Sequence, residues 1–201
     1  MTTAAEAERV HVFYTLRKDV GVAIVVLIAL ALGWLLRVQV ESRTKVFQDS
    51  GTKFQIAYPA TWGNADSLQD VLLKVEDPRT DSAYKTNLTV QARGIDPESV
   101  PTLQQLVDRR VSQHGALIGY HFLSADPATV GGAKAMRQEY AYVVQPIDEP
   151  RRASLPVVVH AVEYILIARE NVFYITLVAP ETEFTDANAQ LLRSMETVQV
   201  Q

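Results

Sequence analysis

The sequence predicts an α+β domain, an antiparallel β-sheet covered by helices, behind one N-terminal transmembrane helix. Three observations carry this. Val20 to Leu36 holds seventeen residues without a charge. Beyond it, strand and turn signals begin with Phe54–Tyr58, which alternates with a period of two and stops at Pro59 as a half-buried strand does. Only two later segments space their apolar residues as a helix does, and runs of strands broken by few helices indicate an antiparallel sheet with helices laid on it.

The uncharged run lies between Asp19 and Arg37, and at about 1.5 Å per residue it spans roughly 26 Å, near the shorter limit for crossing a bilayer. Arg37 can snorkel, Val38 and Val40 lengthen the apolar stretch, and Trp34 suits an interface. A cleaved signal peptide would end in small residues; Ala29-Leu30-Ala31 has that look, but Leu32, Leu35 and Leu36 carry the run past it. A buried core helix would carry polar residues on one side, and this one is apolar all round. The expected organisation is a cytoplasmic tail over 1–18, a transmembrane helix over 19–40 and an extracytoplasmic domain over 41–201. Positive charge does not choose the orientation, because Arg9, Arg17 and Lys18 precede the run and Arg37, Arg43 and Lys45 follow it. The N-terminus is placed inside because a large domain behind a short N-terminal anchor most often lies outside.

About 160 residues after the anchor are enough for one core without disulfide or metal. The first 40 residues carry four basic and three acidic side chains, which leaves 15 basic and 20 acidic ones after them. The basic residues are scattered, and nucleic acid is not an expected partner. There is no cysteine, which removes disulfides, thiolate nucleophiles, iron–sulfur clusters and Cys-based zinc sites.

Val38 to Lys45 reads as a polar connector. Strands are expected at Phe54–Tyr58, ended by Pro59, at Val71–Glu76, ended by Asp77-Pro78, and at Asn87–Ala92. Leu103, Leu106, Val107 and Val111 then share one helical face, with Pro101 in the first turn and Gly115 at the C-terminal cap. Strands resume at Ala116–Ser124 and Ala133–Gln145, with turns at Asp126-Pro127 and Gly131-Gly132. Val157–Arg169 and Val172–Ala179 form a hairpin joined at Glu170-Asn171, long enough for the middle of the sheet. Phe184, Leu191, Leu192 and Met195 mark a closing helix, with Thr182 or Thr185 as N-cap.

Particular residues in this order carry a resemblance. They are Ser50-Gly51 before Phe54-Gln55-Ile56-Ala57-Tyr58-Pro59-Ala60-Thr61-Trp62, then Asn87-Leu88-Thr89-Val90 and the Val130-Gly131-Gly132-Ala133-Lys134-Ala135 turn. Phe173-Tyr174-Ile175-Thr176 with Ala179-Pro180 follows, then a closing helix with Phe184 and Ser194. Over about residues 46 to 200 the chain resembles the PsbP-like family, named for an extrinsic protein of the photosynthetic oxygen-evolving complex. The resemblance implies an α/β/α sandwich, a role that is usually not enzymatic, and association with larger assemblies.

No arrangement of residues points to catalysis, a cofactor or a metal. His11, His114, His121 and His160 include no pair at the spacing of helical or hairpin metal sites. His160, in an apolar strand, is expected to be a hydrogen-bonded structural histidine. No Gly-x-Ser-x-Gly elbow occurs, and Gly131-Gly132-Ala133-Lys134 reads as a turn rather than a phosphate loop. Asp77 with Asp81, and Asp148 with Glu149, lack the spacing of a calcium loop; Arg151 and Arg152 are available to pair with the latter. Asn87-Leu88-Thr89 is a formal glycosylation sequon inside a strand, and the Tyr58–Trp62 aromatics are expected in the core.

The sequence therefore favours a non-catalytic, single-pass membrane-anchored accessory subunit of a larger membrane complex, with a respiratory or photosynthetic electron-transport assembly as the expected setting. Its partners would be the bilayer and other subunits, met at Gly21, Ala23, Ala29, Ala31, Gly33 and Trp34, where small residues allow close helix approach. Val10, Val12, Phe13, Tyr14 and Leu16 make the tail apolar enough to rest at the interface or on a neighbour. The alternative is a membrane-tethered module that binds a small apolar ligand or peptide.

Overall fold

Nothing between Trp34 and Ser50 breaks a helix, since neither Gly nor Pro occurs there, and the first element runs further than its apolar centre. In the computed structural model, α1 covers Ala4–Glu41. The structure describes residues 4–41, 43–66, 71–146 and 155–200, and side chains only from residue 20 onward, residue 41 excepted. His11 and the apolar tail residues Val10 to Leu16 thus lie outside the described side chains, and Asp148, Glu149, Arg151 and Arg152 outside the described residues. The chain divides into two compact units between Arg43 and Thr44. The expected connector over Val38–Lys45 shrinks accordingly, because helix claims its first half and strand β1, Thr44–Asp49, its end.

Further along come β2 (Phe54–Pro59), β3 (Gly63–Asn64), β4 (Val71–Glu76), β5 (Asn87–Gly94), α2 (Leu103–His114), β6 (His121–Val130) and β7 (Ala133–Val144). The chain closes with β8 (Val157–Ala168), β9 (Asn171–Pro180), α3 (Phe184–Met195) and β10 (Gln199–Val200). Strands β3-β4-β5-β9-β8-β7-β6 form one sheet in that order, and β1-β2-β10 form a second, smaller one. Every pairing is antiparallel. The long hairpin β8–β9 does occupy the middle of the large sheet.

Alternation along β9 shows how the layers divide. Phe173, Ile175 and Leu177 point to one side, where they join Phe54 and Ile56 of β2 and Ala187, Leu191 and Met195 of α3 in the main core. Phe54 stacks on Phe173 with ring centroids 5.0 Å apart. Tyr58 and Trp62 belong to this core, as expected of them. Val172 and Tyr174 point the other way, and Leu106 and Val107 of α2 cover them together with Ile165. Burying each such aliphatic side chain contributes about 1.5–3 kcal/mol. Helices therefore lie on both faces of the sheet.

Five local expectations change. The strand expected at Ala116–Ser124 begins at His121 and continues to Val130. Residues 116–120 are spent on turns, with Leu117 N–H donating to His114 C=O at 2.8 Å and Gly119 at φ +64°. Asp126-Pro127 is no turn but part of β6, where Pro127 is tolerated because an edge strand leaves half its N–H groups without a ladder partner. In α2 the N-cap is Thr102, which forms a reciprocal capping box with Gln105, so Pro101 precedes the helix instead of starting it. In α3 neither threonine caps. Glu183 holds that position without a side-chain cap bond, because its carboxylate accepts from Asp81 N–H at 3.2 Å and Thr86 Oγ1 at 3.5 Å. Leu192 leaves the apolar face of α3 and is 47% exposed.

The turns follow backbone sign. Gly131 and Gly132 both have positive φ between β6 and β7, as a two-residue hairpin requires. The β8–β9 turn is Arg169-Glu170, one residue before the expected pair, with Arg169 at φ +56° and Ala168 facing Asn171.

Candidate functional site

Two regions hold features that core packing does not account for. The first is α1. Its segment Val20–Val40 is long and apolar enough to cross a membrane; at about 1.5 Å per residue it spans roughly 31 Å, the thickness of a bilayer core. Gly21 and Gly33 have nothing within 4 Å of where a Cβ would stand, and Trp34 is 65% exposed. At 3.6 residues per turn, Gly21, Ala29 and Gly33 fall within an arc of about 120°, while Ala23 and Ala31 lie on the far side. The small residues singled out in the sequence thus form one stripe of three and a separate pair.

The second region lies under and beside α2. The central residue of β8 is Glu163, fully buried at 0% exposure. A carboxylate there is tolerable only with partners. The sheet register supplies two, because Gln138 of β7 and Thr176 of β9 stand directly opposite it on either side. Thr176 Oγ1 donates to Glu163 Oε1 at 2.9 Å, and Gln138 Nε2 donates to Oε2. The charge is met from above by Arg110 of α2, whose Nε lies 3.1 Å from both carboxylate oxygens and whose terminal nitrogen also donates to Oε1. Burial alone would lower the Arg110 pKa, but the hydrogen bonds and charge of Glu163 outweigh it and raise the value.

Arg110 also stacks over the Tyr174 ring, 4.6 Å from its centroid. One turn later, His114 rests on Tyr140 with centroids 4.4 Å apart, in a cluster with Tyr120. Burial pushes the His114 pKa down, Glu163 opposes this, and Arg110 adds to it. Burial likewise pushes the Tyr140 phenol well above its ordinary value.

Beside this network, a groove of about 560 Å³ opens between α2 and the end of β5, with Tyr174 at its base and Arg93, Arg109, Gln105, Gln113 and Asp96 among its walls. Burial raises the Tyr174 pKa and the charge of Glu163 adds to this, while those of Arg110, Arg93 and Arg109 act in the opposite direction. Among the described residues neither Arg93 nor Arg109 forms a hydrogen bond or ion pair, and the Tyr174 hydroxyl has no hydrogen-bond partner.

The remaining expected residues take structural positions. His160 stacks on Phe184 at 3.6 Å between centroids. Its Nδ1 lies 3.2 Å from Glu181 Oε2, and its Nε2 is 2.8 Å from Glu139 Oε1 but off the line of a hydrogen bond. His121 is exposed at the start of β6. Asp77 pairs with Arg79 at 3.2 Å, and Asp81 offers its backbone N–H to Glu183. Asn87 is buried, its amide donating to Tyr84 Oη and Lys85 C=O at 3.0 Å each, as the strand reading of the sequon requires. Among the described residues no three His, Cys, Asp or Glu side chains converge as a metal site would need. Sequence reading missed Glu163 and Arg110. The available signal was an acidic residue in the middle of the apolar run Val157–Ala168, a residue type almost never buried unless paired.

No family model matches the chain, and no curated protein sequence does. Solved structures do. Cyanobacterial PsbP (CyanoP) from Synechocystis sp. PCC 6803 superposes with a TM-score of 0.59 at 14% identity, covering 79% of this chain and 92% of that one. LpqN of Mycobacterium tuberculosis, described as involved in cell envelope biogenesis, gives 0.54 at 11% identity over 79% and 90% of the two chains. The Saccharomyces cerevisiae Ran-binding protein Mog1p gives 0.51 at 13% identity over 79% and 95%. The chain therefore has a PsbP-like α+β fold, preceded by one apolar helix that is a candidate membrane anchor. At these identities the likeness defines the fold alone.

Proposed function

We propose that this chain is a non-catalytic, single-pass membrane-anchored accessory subunit of a larger membrane protein complex, with its N-terminus cytoplasmic and its folded domain extracytoplasmic. The observation that carries the reading is the anchor. Val20–Leu36 holds no charged residue and Val20–Val40 is long and apolar enough to cross a membrane, which suits surroundings of lipid or other transmembrane helices. The stripe of Gly21, Ala29 and Gly33 offers a neighbour a close approach; Ala23 and Ala31 offer a second, weaker one. Trp34 would mark one interface. A PsbP-like fold supports an accessory role, and a respiratory or photosynthetic electron-transport assembly is the setting we favour.

The alternative, a tethered module for a small apolar ligand or peptide, has less in its favour, since the groove beside α2 is walled by arginine and amide groups. Native electrophoresis of gently solubilised membranes tests the proposal. Co-migration with a large complex is expected, and Gly33→Leu should release the chain from it. Migration of the wild-type protein near its free mass of 22.3 kDa would overturn the reading.

A further inference from the structure

We propose that the groove between α2 and the end of β5 is a binding site for a phosphate-bearing ligand. Donors outnumber acceptors around it. Gln105 Oε1 is committed to the backbone N–H of Thr102 at 2.9 Å. Gln113 Oε1 faces Arg110 at 3.5 Å. A backbone N–H and a guanidinium only donate, so the oxygen of each glutamine must be the atom turned to them, and each NH₂ is left to serve the groove. Arg93 reaches in from β5 and Arg109 from α2, both without a partner among the described residues, and the Tyr174 hydroxyl at the base is also unpaired.

The one carboxylate in the walls, Asp96, is engaged by its own turn. Its Oδ1 accepts from Glu98 N–H and its carbonyl from Ser99 N–H, each at 3.0 Å. Arg110, the third guanidinium near Tyr174, is neutralised by Glu163. What remains is a net positive charge, two guanidinium groups against the one Asp96 carboxylate, and a ring of donors around a space of about 560 Å³, in a domain whose net charge is otherwise negative.

The number of donors selects the ligand class. Two guanidinium groups, two amides and a hydroxyl present more N–H and O–H groups than a single carboxylate has lone pairs to receive them. A phosphate monoester, with three terminal oxygens and close to two negative charges, uses them better. The two arginines come from different elements, Arg93 from β5 and Arg109 from α2, which suits a group gripped from both sides by guanidinium forks.

The test uses the full chain in neutral-detergent micelles, titrated with inorganic phosphate by calorimetry at fixed ionic strength. Saturable one-site binding is expected, weakened about tenfold or more by Arg93→Gln and by Arg109→Gln, with chloride unable to substitute. Both residues are exposed, so the variants should keep their circular dichroism. Repeating the titration in nanodiscs with and without phosphatidic acid separates two sources of the same chemistry. Competition assigns the site to a lipid headgroup and its absence to a soluble phosphate. No saturable binding of phosphate, or equal binding by wild type and both variants, would overturn the proposal.

Discussion

Arg110 and Glu163 are 53 residues apart in sequence and form one forked ion pair that pins α2 to the middle of β8. The pair is buried on the Glu163 side and half-buried on the Arg110 side. Removing only the arginine would strand a charge in the core. Arg110→Met should therefore lose about 3–5 kcal/mol of stability, whereas adding Glu163→Gln to it should recover much of that loss. Chemical denaturation of the four proteins of that cycle measures both. A single variant as stable as wild type would mean that solvent reaches Glu163.

A second expectation separates two adjacent glycines. Both have positive φ, so alanine at either costs about 1–2 kcal/mol in backbone strain. At Gly131 a Cβ would also meet Val198 C=O at 2.7 Å, while at Gly132 it would meet nothing within 4 Å. Gly131→Ala should be the more destabilising by at least about 1 kcal/mol, since the atom it strikes is backbone and cannot turn aside. Equal melting temperatures for the two variants would contradict this.

His114 makes stability depend on pH in one direction. Its folded pKa is held below the unfolded value of 6.5 by burial, despite the nearby Glu163. Above that value neither state carries the proton, and this residue contributes no slope. As the pH falls below 6.5 the unfolded chain takes up a proton that the folded chain refuses, and stability declines until the folded pKa is reached. His114→Gln should flatten this part of the profile. Denaturation midpoints at about pH 7.5 and about pH 5.5 suffice, and an unchanged difference between them would exclude His114 as the cause.

Because the chain has no cysteine, its orientation can be read from one introduced thiol. Glu98→Cys, on an exposed loop, should react with an impermeant reagent on intact cells. Reaction only after the membrane is broken would reverse the proposed topology.

Much of the domain was legible because period and burial agree within each element. Leu106 and Val107 of α2, the long β8–β9 hairpin and the Gly131-Gly132 turn all follow from local pattern. The misses share a different origin. Pro127 reads as a stop unless the strand is known to be an edge, and that depends on pairing with β7 alone. Glu183 displaces two better capping residues because a distant loop at Asp81 and Thr86 claims its carboxylate. The β1 strand has only Phe47 and Asp49 part-shielded, too faint a pattern to read without β2 beside it. The Arg110–Glu163 pair and the groove are assembled from segments far apart in the chain, so no window of sequence contains them. The candidate anchor was legible from composition alone, since its length and apolar character, rather than tertiary contact, mark it.

The ends of the large sheet bear on how copies of this chain tolerate one another. One end is β3, only two residues long, and the other is β6, interrupted by Pro127 and by a bulge between Phe122 and Ser124. Long flat rims invite a foreign strand to continue the ladder, whereas short or broken ones do not. The proposed membrane tether would confine molecules to a plane and multiply their encounters far beyond those in bulk solution. A sheet whose rims are blunted at both ends can be crowded in that way without zipping to its neighbours.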